Sequence, residues 1–403
     1  MQRNTRRHFL KQTGAATLGT GSLAHAVTRS PKPAAQEAWT LHGEQFRMDD
    51  NYEGGWIQNF TSTVEALPND CWRIWTSVSV PETGIRNIGY HEGSIDGDWR
   101  PVWAVCSTGD PEPDAELSIG GMPEGTQPVQ VVTVRLQNGL TRLYFWAHGE
   151  NVVRYLAADS INEAAKQFRV VNALNPCLYH PGDRAVGGAA ATEAGLSHWA
   201  AKVAKPIQGE SLAPAALISN DSTNVYQMED GSFEMFSVTL IEVAKDDPRY
   251  APQDNLKGFL RFIDRYTSED GLRWENRKRV ITPDSEDPID QQCYYLSVTY
   301  TEKGRLGMLG SYRLDEQAID IEPCFSSDGI KWERPQRKPW IPRAEPGEGF
   351  ATYMLHAPHN LIQRNGRWWL FYTGGNFAHN NQHSDGSPNR IILAASCEDV
   401  WAG

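Results

Sequence analysis

Ser268-Glu269-Asp270-Gly271-Leu272-Arg273-Trp274-Glu275 recurs almost unchanged as Ser326-Ser327-Asp328-Gly329-Ile330-Lys331-Trp332-Glu333. Asp-Gly suits a tight turn, because the glycine takes a positive φ and the aspartate bonds nearby backbone. The Trp then packs over a sheet. A third copy, Ser94-Ile95-Asp96-Gly97-Asp98-Trp99, is one residue shorter. Two more are degenerate: Ser160-Ile161-Asn162 leading to Phe168, and Ser396-Cys397-Glu398-Asp399-Val400-Trp401. Asp270, Asp328 and Asp96 therefore read as structural turn residues, although they are the most conspicuous repeated acids.

A second feature precedes each turn. It is a strand of aromatic and aliphatic residues: Trp72-Arg73-Ile74-Trp75, Leu143-Tyr144-Phe145-Trp146, Phe233-Glu234-Met235-Phe236, Leu306-Gly307-Met308-Leu309 and Trp368-Trp369-Leu370-Phe371-Tyr372. Upstream again lies another apolar strand, at 57–64, 129–136, 225–228, 293–300 and 354–362. Five copies of strand, hairpin, aromatic strand and turn predict an all-β chain folded as a five-bladed β-propeller. The segment Trp39–Met48 has no other sheet to join, so it is expected to add the outer strand of the fifth blade and fasten the ring. The composition agrees: 14 Trp, 14 Tyr, 35 Gly and 24 Pro are what many short strands and tight turns need.

The N-terminal residues Thr5-Arg6-Arg7-His8-Phe9-Leu10-Lys11 form a twin-arginine signature. A short apolar stretch from Gly14 to Leu23 and the cleavage-type Ala24-His25-Ala26 follow it. The expected organisation is a signal peptide over 1–26, a flexible tether over 27–37 and the propeller domain over 38–403, exported folded to the periplasm or beyond. The apolar stretch is too short to span a bilayer, and no membrane insertion is expected after cleavage. A net charge of −12 argues against nucleic acid or an anionic membrane as partners, because both are bound by basic surfaces. Cys71, Cys106, Cys177, Cys293, Cys324 and Cys397 show no metal-type spacing, and buried free thiols are expected for a chain folded in a reducing compartment.

The loops leading into the first strand of each blade carry acids at one structural level. They are Met48-Asp49-Asp50-Asn51 before Trp56-Ile57, Ser219-Asn220-Asp221-Ser222-Thr223-Asn224, Asp287-Pro288-Ile289-Asp290-Gln291-Gln292, and Glu345-Pro346-Gly347-Glu348-Gly349 ahead of His356 and His359. Carboxylates gathered around one axis suit glycosidic cleavage: one ionised group activates water or attacks the anomeric carbon, and another donates a proton. The catalytic candidates are Asp50, Asp221, Asp290 and Glu348. Trp56, Asn224, His356 and His359 are the candidate substrate contacts, with aromatic faces as platforms for sugar rings. An Asp before a strand is also an ordinary turn residue, and the histidines also suit a hydrogen-bonded core.

The Ser-x-Asp-Gly-x-x-Trp turns, with Asp290-Gln291-Gln292-Cys293-Tyr294-Tyr295, resemble the five-bladed propeller glycosidases, which include glycoside hydrolase families 43 and 32. Asn220-Asp221-Ser222-Thr223-Asn224-Val225 is similar to a blade motif of exported members. The resemblance implies Asp50 as base or nucleophile, Asp221 as the supporting carboxylate, and Glu348 or Asp290 on the acid side. The invertase-type Trp-x-Asn-Asp-Pro-Asn-Gly, Arg-Asp-Pro and Glu-Cys motifs are absent, which argues against fructans. The resemblance requires no cofactor, but some arabinanase-like members hold a central calcium near a histidine, here His356 or His359. The expected function is a glycosidase acting on plant or algal oligo- or polysaccharides. Exo action is expected because the insertions 173–215 and 243–258 would wall one end of a funnel. The alternatives are a carbohydrate-binding propeller without activity, a phosphorylase with Arg261, Arg265 and Arg313 holding phosphate, and a polysaccharide lyase.

Overall fold

The computed structural model describes residues 33–48, 52, 55–57, 63–80, 82–150, 153–179, 200–202, 217–345, 349, 351–380 and 390–401. The expected signal peptide, Asp50 and Glu348 lie outside them. Asp221 lies in a strand whose side chain there is likewise outside the description. The described chain is all-β, with a single 3-10 turn, Gln36–Ala38, as its only helix.

Outermost in sequence is β1 (Thr40–Arg47). A first group follows: β2 (Trp56–Ile57) and β3 (Val64–Ala66) both pair with β4 (Trp72–Val80), which pairs with β5 (Ile85–Gly93) and then β6 (Arg100–Trp103). The short strands β7 (Val105–Cys106) and β8 (Ser118–Gly120) lead to a second group. This is β9 (Gln127–Arg135), β10 (Thr141–His148), β11 (Val153–Ser160) and β12 (Gln167–Val170), each antiparallel to the last. Two bridging strands, β13 (Leu178–Tyr179) and β14 (Ala200–Lys202), join β11 to the third group. That group is β15 (Leu217–Gln227), β16 (Phe233–Glu242), β17 (Phe259–Ser268) and β18 (Glu275–Ile281). The fourth comprises β19 (Gln291–Thr301), β20 (Gly304–Arg313) and β21 (Ala318–Ser326), edged by a single bridge from Phe325 to Glu333. In the fifth, β22 (Met354–His356) and β23 (Ile362–Arg364) both pair with β24 (Arg367–Gly375), which pairs with β25 (Arg390–Cys397). β1 then lies antiparallel on β25, from Thr40 opposite Ser396 to Arg47 opposite Ile391. The segment expected to complete the last sheet does so.

The repeated turns sit after the third strand of their groups and work through local chemistry. Ser268 Oγ accepts the Gly271 N–H at 2.9 Å, and Asp270 Oδ1 accepts those of Leu272 and Arg273 at 2.7 and 2.8 Å. Ser326 and Asp328 do the same for Gly329, Ile330 and Lys331. Gly271 and Gly329 stand at φ 71° and 74°, where a Cβ is disfavoured. In the shorter copy the left-handed residue is instead Asp96, at φ 61°.

Central strands are buried along nearly their whole length rather than on alternate residues; β21 and β25 are buried throughout. Both of their faces are covered, because five apolar clusters lie between successive groups. One joins Trp75 and Tyr90 to Phe145 and Phe168, and the next joins Trp146 and Tyr155 to Met235 and Tyr266. A third links Phe236 and Val238 to Leu296 and Leu309, and a fourth links Met308 and Ile321 to Leu355 and Leu370. The last contains Phe46, Phe371 and Ile392 together with Trp72 and Ile74, so the fifth group packs on the first. The described part of the expected tether is packed as well. Ala34 is fully buried, its N–H donates to the Val400 carbonyl, and its own carbonyl accepts from the Trp340 indole at 2.8 Å. All six cysteines are free thiols, three of them buried.

Candidate functional site

Every first strand is interrupted near its middle. In the first and fifth groups it is split into two pieces, and β9, β15 and β19 carry register shifts where their partners count one or more residues fewer. Such bulges re-aim side chains that a regular ladder would send to alternate faces. The shift between Cys293 and Leu296 frees Tyr294 and Tyr295 from the pairing with β20.

Tyr294 enters a buried polar cluster near the N-terminal ends of the first strands. Its hydroxyl lies 2.6 Å from His379 Nε2. Asn380 Oδ1, oriented by Nδ2 donating to the Gln253 carbonyl, lies 3.1 Å from His379 Nδ1. That nitrogen therefore carries the hydrogen, and Nε2 accepts from Tyr294. Burial pushes the His379 pKa down to about 3, so the ring is neutral. Arg261 is fully buried and donates to Asp254 at 2.7 Å, Gln292 at 2.8 Å and Asn255 at 3.1 Å. Its guanidinium lies 5.2 and 5.5 Å from the ring centres of Tyr294 and Tyr312. Tyr312 in turn donates to Asp254 Oδ1 at 3.1 Å. Burial raises the Asp254 pKa, but Arg261 outweighs it and holds the carboxyl below its ordinary range.

The first group contributes Trp56. Arg390, the first residue of β25, lies 4.7 Å over its ring and 5.3 Å over that of Phe377. Burial lowers the Arg390 pKa to about 9. His356 is buried beside Tyr294 and Tyr295, with ring centres 6.2 and 5.9 Å away. Burial first, then the charge of Arg390, lowers its pKa well below the ordinary value and keeps it neutral. A cavity of about 460 Å³ opens alongside, lined by Arg261, Gln292, Phe262, Pro288, Ile289 and by Arg249 from the 243–258 insertion. Aromatic rings, a buried cation and neutral histidines thus pack together beside this cavity, which shares Arg261 and Gln292 with them.

The other expected site residues divide. Trp56 and His356 belong to the cluster. His359 and Asn224 instead tie first strands together: His359 Nε2 donates to the Val225 carbonyl at 2.9 Å, and Asn224 Nδ2 donates to the Leu296 carbonyl at 2.9 Å. Tyr226 stacks on His359 at 4.2 Å, donates to its carbonyl and accepts from the Val298 N–H. Burial takes the His359 pKa down to about 4. These two residues hold the strands rather than present themselves to a ligand.

Asp290 is chelated by Arg313, with Nε 3.0 Å from both oxygens, and also accepts the Asp315 N–H. Burial raises its pKa, but these partners outweigh it and hold Asp290 ionised. That is the reverse of what a proton donor at neutral pH needs. All three arginines considered for phosphate are held by carboxylates, Arg261 by Asp254, Arg265 by Glu234 and Arg313 by Asp290. Calcium takes six to eight oxygen ligands. His359 Nε2 is bound to a carbonyl, and among the described residues no group of three His, Cys, Asp or Glu side chains stands close enough to hold a metal. Sequence reasoning missed Arg390, Tyr294, His379, Phe377 and Asp254, whose chemistry appears only when separate groups meet.

No family model matches the sequence, and no curated protein does. Among solved structures, one described as a glycoside hydrolase is similar at a TM-score of 0.54 and 13% identity, covering 92% of this chain and 92% of that chain. A glycosyl hydrolase from Bacteroides ovatus gives 0.45 at 12% identity, covering 92% and 91%. A β-1,2-mannobiose phosphorylase from Listeria innocua gives 0.47 at 10% identity, covering 87% and 92%. The chain thus shares, over nearly its whole length, the all-β fold of a glycoside hydrolase.

Proposed function

We propose that the five strand groups are the blades of a five-bladed β-propeller, and that the protein is an exported glycoside hydrolase. Its substrates are plant or algal oligo- or polysaccharides, attacked from a chain end. The observation that carries this is the buried cluster of Trp56, Arg390, Phe377, Tyr294 and His356, gathered from three groups where the first strands begin. It supplies an aromatic floor and neutral or cationic donors, which hold a sugar ring by its face and its hydroxyls. Asp50 is the base or nucleophile, Asp221 the supporting carboxylate and Glu348 the proton donor. Asp290 keeps only an electrostatic role. The 243–258 insertion, which lines the neighbouring cavity through Arg249, supports exo action. Among the described residues no helix is long and apolar enough to cross a membrane, and export rests on the twin-arginine segment alone.

A phosphorylase is the second reading, favoured by Arg390, the buried cation within the cluster. The test is release of sugar from aryl glycosides and oligosaccharides by the purified protein, with and without phosphate, alongside Asp50→Asn and Glu348→Gln. Release by the wild type that either variant loses supports the hydrolase. Release only with phosphate, as a sugar phosphate, selects the phosphorylase. Binding without release, unchanged in both variants, leaves a carbohydrate-binding propeller.

A further inference from the structure

At the opposite ends of the first strands, two cavities of about 580 and 600 Å³ share Glu229, Tyr300 and Thr301 and so form one groove. The hairpins that follow β15, β19 and β23 make its walls. From Gln292, which bonds Arg261 in the cluster, to Thr301 in the groove is nine residues of extended chain, roughly 30 Å. The groove is therefore separate from the cluster.

Its chemistry points to one class of ligand. Trp368 and Trp401 are half-buried and line it. Trp401 packs edge-on against Phe325, at 5.5 Å and 83°, and exposed Lys303 stands 5.6 Å over its ring. A flexible side chain thus stands over one face of Trp401. Gln363, Glu229, Glu302 and Asp399 stand exposed along the groove and offer amide and carboxylate partners for hydroxyls. Arg265 and Arg305 are both paired with Glu234, which also accepts the Tyr300 hydroxyl at 2.6 Å. Glu234 offsets one of these two positive charges, and Glu229, Asp230, Glu302 and Asp399 outnumber the remaining arginine charge and Lys303, so the groove is acidic on balance, which opposes a polyanion. An aromatic face beside hydrogen-bonding polar groups, without net positive charge, fits the apolar face and hydroxyls of a neutral sugar.

We propose that this groove is a second carbohydrate-binding site that takes a neutral glycan chain independently of whether the cluster cleaves it. The test is native gel electrophoresis of the whole protein in gels containing arabinan, xylan, galactomannan or laminarin, with alginate as the anionic control. At least one neutral polysaccharide should retard the wild type. Trp401→Ala should weaken that retardation about tenfold, and the exposed double variant Gln363→Ala/Glu302→Ala should weaken it in the same direction without touching the core. Asp50→Asn should be retarded like the wild type, and Trp401→Ala should keep wild-type turnover of a small aryl glycoside. Absence of retardation by every neutral polymer overturns the site, as does retardation unchanged in both groove variants or lost in Asp50→Asn. If the wild type releases no sugar yet shows this pattern, the hydrolase falls and the groove stands.

Discussion

Asp320 gives the sharpest test of how this fold treats buried charge. It is 7% exposed on β21, with Arg343 Nε 3.0 Å from Oδ1. Burial is the largest influence on its carboxyl; Arg343 opposes it, Glu316 and Glu322 reinforce it, and the pKa is pushed up to about 6 from 3.8. The folded state therefore holds this proton more tightly than the unfolded chain. That stabilisation is fully present below pH 3.8 and is lost as pH rises through about 6. A shift of about two units corresponds to about 3 kcal/mol in all, of which about 2 kcal/mol falls between pH 4 and pH 7.5. Asp320→Asn removes the titration, and Arg343 keeps Glu316 as a partner at 2.9 Å. The assay is equilibrium unfolding in urea, which adds no ionic strength, for both proteins at several pH values across that range. Taking the difference between them at each pH cancels the titration of the groups they share, and the pH-independent effect of the substitution remains as a constant offset. The variant's stability should rise relative to wild type by about 2 kcal/mol from pH 4 to pH 7.5. A difference that stays flat would mean that Asp320 ionises normally and that Arg343 compensates its burial in full.

Two further predictions concern the ring and the cluster. Phe46 on β1 is 7% exposed and stacks on His91 at 4.1 Å, so Phe46→Ala should cost about 3–5 kcal/mol in urea unfolding, whereas Leu41→Ala on the same strand, 50% exposed, should cost under about 0.5 kcal/mol. Equal effects would mean that β1 does not close the last sheet through its buried face. Arg261→Met leaves the Asp254 carboxylate buried without its partner and should cost about 3–5 kcal/mol; Arg261→Met/Asp254→Asn should cost less than the sum of the single changes, and strict additivity would show that the pair is not coupled.

The sequence by itself determined the features whose physics is local. The Ser-x-Asp-Gly-x-x-Trp turn closes through hydrogen bonds spanning two or three residues, from Gly271 back to Ser268 and from Arg273 back to Asp270, so six residues suffice to read it. Spacing such turns along aromatic strands then located the strand groups, and the unpartnered stretch Trp39–Met48 pointed to β1 on β25. What only the tertiary structure decided is which polar side chains are spent on the fold. Asp290 is chelated by Arg313, 23 residues on, and His359 donates to Val225, 134 residues back. Nothing in their local sequence distinguishes them from catalytic or ligand-binding groups. The cluster is hidden for the same reason: Trp56 on β2, Tyr294 in the bulge of β19 and Arg390 at the start of β25 come from three different groups and meet only in the folded chain. A turn is set by neighbours in the chain, whereas the charge state of a buried group is set by neighbours in space, and the second list exists only after folding.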